Sequence, residues 1–257
     1  MQHGVRAMIF DIVLLCLAGA AAGFLNAVAG GGTFLSFPAL LYVGVPPIAA
    51  NATATLSALP GYLSSAWGYR SDISGEGTLG LRIIHAIAAL GSVLGALLLI
   101  VTPGDTFMWI VPWLLAAATV LFATGPALLR RLRQRGVGVA GPVLSGAAIL
   151  GVSIYGGYFN GGLGIMLLAT FGLLGHVNLH GMNGLKSILS AELSLISAVT
   201  FILADLIYWE QALIMAASAT VGGYVGARIS RRIVRTDLLR GFITLVGATM
   251  TVMILVM

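Results

Sequence analysis

The chain has 257 residues, of which 59% are hydrophobic and only 8% charged, with a mean hydropathy of +1.04. Soluble domains carry about 45–50% apolar and about 25% charged residues, so a water-soluble fold is excluded and the chain belongs in a bilayer. The net charge of +5 sits in short clusters between apolar runs, where it reads as a topology signal and not as a nucleic-acid footprint.

With about 20 apolar residues needed per helical span, the length accommodates about eight to ten helices and no soluble domain. The expected fold class is an all-α polytopic membrane protein. A lone cysteine, Cys16, excludes a disulfide framework or a multi-cysteine metal site within one chain. The stretch 9–23 resembles a signal peptide superficially, but it runs directly into a glycine motif and is read as the first helix.

Breaks at Gly, Pro and charged residues divide the first half into apolar segments 8–29, 33–44, 47–68, 82–101 and 107–129. The second half divides the same way, into 141–161, 164–175, 181–206, 211–230 and 238–257. Two membrane repeats are expected, 1–129 and 141–257, joined by a basic linker at 130–140. The second segment of each half is too short to cross a core of about 30 Å alone, so each is a half-helix or one arm of a bent hairpin.

The linker carries Arg130, Arg131, Arg133 and Arg135 and is expected to be cytoplasmic. If each half crosses an odd number of times, the loop with Arg70 and Arg82 and the region from Arg228 to Arg240 fall on the same side. Eleven of the 13 Lys and Arg residues then lie there. The loops assigned to the other side carry Asp105, Asp205 and Glu210 and no Lys or Arg. An odd count per half also sets the halves in opposite orientations, so the charges predict an inverted repeat with both termini outside, periplasmic in a bacterial inner membrane. An even count would place the Arg130 and Arg228 clusters on opposite sides, which the charge rule disfavours.

The repeat is also visible in residues. GFLNAVAGGGTF, followed by AANATAT, has a degenerate copy in YFNGGLGIM followed by GMNGLKS; at an offset of 132, Gly30 falls on Gly162, Gly32 on Gly164, Asn51 on Asn183 and Thr55 on Ser187. No helix runs comfortably through Gly30, Gly31 and Gly32. A break in hydrocarbon survives where it lines a cavity, because its backbone groups need partners. The short helix beginning at Thr33 would aim free N–H groups into that cavity, and Gly161, Gly162 and Gly164 would do the same in the second copy. Two opposed helix N-termini make a seat for an anion; the alternative is that these glycines serve only packing or a kink. GSVLG (Gly91, Gly95) and GGYVG (Gly222, Gly226) are read as close helix contacts.

Asn51 and Asn183 begin the third segments, where their amides can donate to an oxyanion or cap their helices. Asn26, Asn160, Thr55 and Ser187 complete the polar set around the two motifs. Lys186 is the only basic residue deep in a predicted helix, and an intramembrane charge is functional by default; the alternative is snorkelling to the interface. Asn183, Lys186, Ser190, Ser194 and Ser197 fall within about 80° of one another and form one polar stripe. Glu192 lies about 240° from Lys186 and does not pair with it. It is a candidate for proton coupling, along with His180 as a proton-responsive gate. His176 and His180 lack the carboxylate or cysteine needed for a metal or haem shell, so no metal or other cofactor is expected. Trp67, Trp109, Trp113 and Trp209 read as interfacial anchors.

The segment GFLNAVAGGGTFLSFPALLYVGVPPIAANATATL resembles the opening motif of the TauE/SafE sulfite exporter family, also called the toluenesulfonate uptake permease family. FNGGLGIMLLATFGLLGHVNLHGMNGLKS and GGYVGARISRR are similar to its later motifs. The second copy departs from the first with Leu163 inside its glycine run and Thr170 where the first has Pro38. The resemblance implies an inner-membrane secondary carrier for small anions such as sulfite, sulfonates or sulfoacetate, working without ATP or a prosthetic group.

The expected partners are a small anion and the lipid bilayer, with no nucleic acid; a homo-oligomer is admitted. The leading reading is a proton-coupled exporter holding its anion between the glycine breaks, with Lys186 as countercharge. The alternative is a membrane assembly or accessory protein without transport of its own. An intramembrane enzyme lacks a nucleophile, a metal shell or paired carboxylates in this sequence.

Overall fold

The computed structural model describes residues 2–28, 30–73, 79–134, 141–176 and 178–230, and, of the last segment, residues 241, 244, 245, 247–249, 251–253 and 255. Nine helices are bounded within them: α1 (Gln2–Val28), α2 (Thr33–Tyr42), α3 (Pro47–Tyr69), α4 (Leu81–Val101), α5 (Gly104–Gln134), α6 (Pro142–Tyr158), α7 (Leu163–Leu173), α8 (Leu179–Leu203) and α9 (Trp209–Ser230). No strand occurs among the described residues. The residues that make poor helix interiors set the boundaries. Pro47 and Pro142 open α3 and α6 at the first turn, where a missing N–H leaves no acceptor unserved.

Five helical stretches are long and apolar enough to cross a membrane: Met8–Val28, Leu81–Val101, Gly104–Leu121, His180–Leu203 and Trp209–Ser230. Their outward faces carry exposed Leu17, Leu94, Leu195 and Leu213, as lipid contact requires. The short helices α2 and α7 have 10 and 11 residues, or roughly 15–17 Å at 1.5 Å per residue, about half a hydrocarbon core. Neither spans alone.

Glycine contacts set the packing. A Cβ on Gly19 would lie 2.7 Å from Met215 O, one on Gly222 2.0 Å from Ala20 O, and one on Gly226 2.8 Å from Phe24 O. Numbers rise together along α1 and α9, so the two helices run in the same direction with touching backbones. The hydrogen bonds Ser57 Oγ to Ala212 O (3.3 Å) and Ser64 Oγ to Thr220 O (2.9 Å) align α3 with α9 in the same way. A second parallel set comprises α4, α6 and α8: a Cβ on Gly91 would meet Ser153 and one on Gly95 would lie 2.1 Å from Ile154 O, while Ser92 Oγ bonds Leu193 O and Ser197 Oγ. The small-residue motifs at Gly91/Gly95 and Gly222/Gly226 are therefore helix contacts, formed because dispersion between close backbones is the main attraction available in lipid.

The two sets meet along α3 and α8, which are antiparallel: Ser65 pairs with Ser187 at 2.9 Å, while Tyr69, further along α3, stacks on His180, earlier in α8. The short helices fold back along their predecessors. A Cβ on Gly32 would lie 2.2 Å from Ala22 O, and Tyr42 at the end of α2 reaches Phe10 near the start of α1. Thus α1 and α2 leave and return to one face, and α2 delivers the chain there for α3.

This succession brings Arg70, Arg82 and Arg228 to one face. The two-residue connection after α4 returns the helical α5, and with it Arg131, to the same face. Asp105, Asp205 and Glu210 lie exposed at the opposite face. Helix α5 continues through Gln134, five residues beyond position 129, so the expected linker is partly helix; 135–140, including Arg135, and 231–240 lie outside the described residues. Helix α8 starts at Leu179 and not near 181, because the Asn178 side chain accepts from the N–H groups of His180 (3.0 Å) and Gly181 (3.3 Å) and caps it.

Candidate functional site

The two glycine motifs break the helices as their composition requires. Gly30, Gly31 and Gly162 have φ of 79°, 108° and 76°, a region nearly closed to residues with a Cβ. The breaks touch each other: a Cβ on Gly30 would lie 2.7 Å from Gly164 Cα, and Thr33 Oγ1 donates to Asn160 O at 3.3 Å. All residues from Gly30 to Thr33 and from Asn160 to Gly164 are buried. The site is closed, with the breaks packed against each other.

Each break leaves a helix C-terminus and a helix N-terminus inside the protein. At the N-terminal ends, Asn26 Oδ1 accepts from Gly32 N at 2.7 Å, so one amide there is satisfied by the chain itself. Among the described residues, the N–H groups of Gly31, Thr33, Gly162 and Gly164 have no hydrogen-bond acceptor. These are donors at the positive ends of α2 and α7, where an anion is stabilised.

At the C-terminal ends, the two third-segment helices supply donors across the halves. Lys186 of α8 donates from Nζ to Ala27 O of α1 at 3.2 Å and to Asn183 Oδ1 at 2.9 Å. Asn51 of α3 donates from Nδ2 to Tyr158 O of α6 at 2.9 Å. The two bonds cross, a later helix closing the first break and an earlier helix closing the second. Neither Asn51 nor Asn183 caps its own helix, since the N-cap residues are Pro46 and Asn178. The Asn51 amide nitrogen, expected to face an anion, is bonded to the Tyr158 carbonyl, and its buried Oδ1 has no partner.

Lys186 is 0% exposed, which excludes snorkelling. Its Cδ would be 3.2 Å from a Cβ on Gly164, so the stem lies against the second break. An ammonium has three donors and two are used. The only ion pair among the described residues is elsewhere, so this buried amine faces neutral acceptors at the negative end of α1 and, among those residues, no carboxylate. A charge so placed is stable only with compensation.

The polar stripe of α8 is buried from Lys186 onward, with Lys186, Ser190 and Ser197 0% exposed and Ser194 1%, while Asn183 at its start is partly buried; the neighbouring Ser187 is also 0% exposed. Ser194 Oγ accepts from Asn160 Nδ2 at 3.1 Å, and Tyr62 OH reaches Asn160 Oδ1 at 3.3 Å. Thr55 and Ser187 each donate to the carbonyl four residues back, Asn51 O and Asn183 O, both at 2.8 Å. Ser190 Oγ is buried without a partner. The stripe is thus a polar wall running from Lys186 to Ser92 on α4.

Glu192 leaves the stripe and meets His85 of α4, its Oε2 against His85 Nδ1, with both side chains half-buried. Sequence reasoning did not find His85, although a histidine within an apolar segment was itself the signal. It also passed over Asn178, whose signal was an Asn directly ahead of an apolar helix. His180 is exposed in the first turn of α8 and stacks on Tyr69, with ring centroids 6.3 Å apart. It lies apart from the Glu192 pair. His176 is buried beside Phe171. No group of three or more His, Cys, Asp or Glu among the described residues could hold a metal.

These features define a multi-pass helical membrane protein whose two broken helices meet beside one buried cation. Residues 15–254 match the model of the family described as "Sulfite exporter TauE/SafE". The chain is 30% identical over 239 residues to the "Probable membrane transporter protein YfcA" of Escherichia coli K12, covering 91% of this chain and 86% of that one. It is 32% identical over 221 residues to a "Probable membrane transporter protein" of Haemophilus influenzae, covering 84% of each. It is 30% identical over 224 residues to the "Probable membrane transporter protein ORF9" of a Sinorhizobium species, covering 84% and 82%. No solved structure matches. The chain belongs to the TauE/SafE family and is a membrane transporter.

Proposed function

We propose that the protein exports a small oxyanion, sulfite, sulfoacetate or a related organosulfur anion, through the junction of the two helix breaks. One observation carries this reading: the fully buried amine of Lys186 has no carboxylate partner among the described residues, and beside it four backbone N–H groups have no acceptor among those residues. A neutral substrate leaves that charge uncompensated, and a cation adds to it. The closed breaks correspond to an occluded state, so loading requires Gly30 and Gly164 to separate.

Export is coupled to the proton gradient through Glu192 and His85, a carboxylate and an imidazole within the membrane-spanning helices. The halves 1–129 and 141–257 work as inverted repeats in a bacterial inner membrane, with both termini outside. The inversion is supported by the pairing of helices, since α1 with α9 and α6 with α4 are equivalent parallel contacts. The matching bonds of Thr55 and Ser187 support it too, as does the separation of Arg70, Arg82, Arg131 and Arg228 from the acidic loops.

The test is flux through the purified protein in liposomes. Sulfite or sulfoacetate is expected to move faster than in protein-free vesicles and to raise the thermal stability of the detergent-solubilised protein with rising concentration. If no organosulfur anion either moves or stabilises, the reading is wrong.

A further inference from the structure

A cleft of about 700 Å³ opens between the ends of α3 and α9, lined by Trp67, Arg70, Ser71, Tyr224 and Arg228 among others. It lies on the basic face of the molecule. The Arg70 guanidinium carbon stands 4.6 Å from the centroid of the Trp67 ring, and that of Arg228 stands 4.7 Å from the Tyr224 ring. Stacking of this kind holds a guanidinium by its face and leaves its N–H edge to fork an oxyanion. Arg70 gives one N–H to Trp67 O at 3.0 Å. Among the described residues, the carboxylate nearest in sequence is Asp72, and it accepts from Ser71.

Gly68 lines the cleft as well. A Cβ on Gly68 would lie 2.6 Å from Ala227 Cβ, so α3 and α9 seal against each other there. Beneath lies the buried cluster Ala27, Tyr69 and Ala227, each 0% exposed. Tyr69 OH is hydrogen-bonded to Ser230 Oγ, which ties the ring across the end of α9. On the far side of this cluster, the carbonyl of the same Ala27 accepts from Lys186. The cluster thus packs against Ala27, whose carbonyl Lys186 holds.

We propose that the cleft is an anion-collecting vestibule, taking a small hydrated oxyanion from the aqueous phase, and that Tyr69, latched to Ser230, is the layer between it and Lys186. The proposal rests on the anion reading above. It adds a second site, with Arg70 and Arg228 as its ligands, and a direction of entry from the basic face. A cleft this wide holds a small anion with water, so it concentrates substrate without binding it tightly.

The test uses the full chain with Trp109, Trp113 and Trp209 changed to Phe, which leaves Trp67 under Arg70 as the single tryptophan. Titration with sulfite at constant ionic strength, in lipid-free detergent, is expected to change its emission saturably as the anion draws the guanidinium off the ring. Combining Arg70→Gln with Arg228→Gln is expected to abolish the response. In liposomes the same pair of substitutions should raise KM for sulfite from the basic face about tenfold at unchanged maximal rate, the loss of a charge-assisted hydrogen bond. Tyr69→Phe, which keeps the ring and removes the latch, should raise the maximal exchange rate.

A response only in phosphatidylglycerol nanodiscs, and none to soluble sulfite, would mean a lipid-headgroup seat and overturn the vestibule. So would a double arginine variant that keeps both the wild-type KM and the Trp67 response. If Trp67 titrates while the wild type moves no anion, the transport reading alone fails and the anion-binding cleft stands.

Discussion

Replacing Lys186 by methionine separates a countercharge from a structural lysine. The substitution keeps the unbranched stem that lies against Gly164 and removes the ammonium that donates to Ala27 O and Asn183 Oδ1. Two acceptors lose a donor, at a cost of about 1–3 kcal/mol each if they stay dry. Against that, a buried charge with a desolvation penalty of several kcal/mol disappears. The two effects are similar in size and opposite in sign, so the variant is expected to fold and to melt within a few degrees of wild type. For a bound anion nothing offsets the loss. A unit charge 4 Å away at an effective dielectric constant near 20 is worth about 4 kcal/mol, or about a thousandfold in affinity. Sulfite flux into proteoliposomes, measured over a concentration series beside Lys186→Arg, reads this directly. Wild-type KM and maximal rate in Lys186→Met would refute the countercharge. Gross destabilisation together with full affinity in the folded fraction would make Lys186 only the cap of α1.

Gly30→Ala combines a positive φ of 79° with a Cβ 2.7 Å from Gly164 Cα. It should prevent the breaks from closing and lower the thermal midpoint by the equivalent of about 1–3 kcal/mol, and a midpoint equal to wild type would show that the breaks do not need to touch. Asn51→Leu strands the Tyr158 carbonyl and should destabilise by about 1–3 kcal/mol. Asn51→Asp, which has no amide donor, should restore nothing in a melting assay at neutral pH. Glu192→Gln and His85→Gln each break the intramembrane pair. Both should abolish the acceleration of sulfite flux by an imposed pH gradient while leaving sulfite–sulfite counterflow in place, and gradient-driven flux at the wild-type level in either would remove the pair from coupling.

Much of the site was legible along the chain because its determinants are local. Glycine-dense runs break a helix in any surroundings, and five polar residues at helical spacing fall on one face, so the breaks at Gly30 and Gly162 and the stripe from Asn183 to Ser197 followed from sequence. The pairing of the stripe with its neighbours did not follow. Asn51 suggested either a cap or an anion donor, whereas it bonds a carbonyl 107 residues away. Glu192 was visible and its partner was not, because His85 is on another helix at the same separation in sequence.

The sequence by itself determined that the chain is a helical membrane protein with two glycine breaks, and it singled out Lys186 as the one basic residue within a helix and expected most of the other basic residues to gather on one face. Hydropathy, glycine flexibility and charge act residue by residue or turn by turn, and no fold is needed to read them. Only the tertiary structure decided that Lys186 bonds the end of α1, that Asn51 bonds the end of α6, and that Arg70 and Arg228 line one cleft. In lipid, apolar helix faces gain little by choosing one partner over another. The choice falls to the close fit of small residues such as Gly19 on Met215 and Gly95 on Ile154, which is settled only when whole helix surfaces meet.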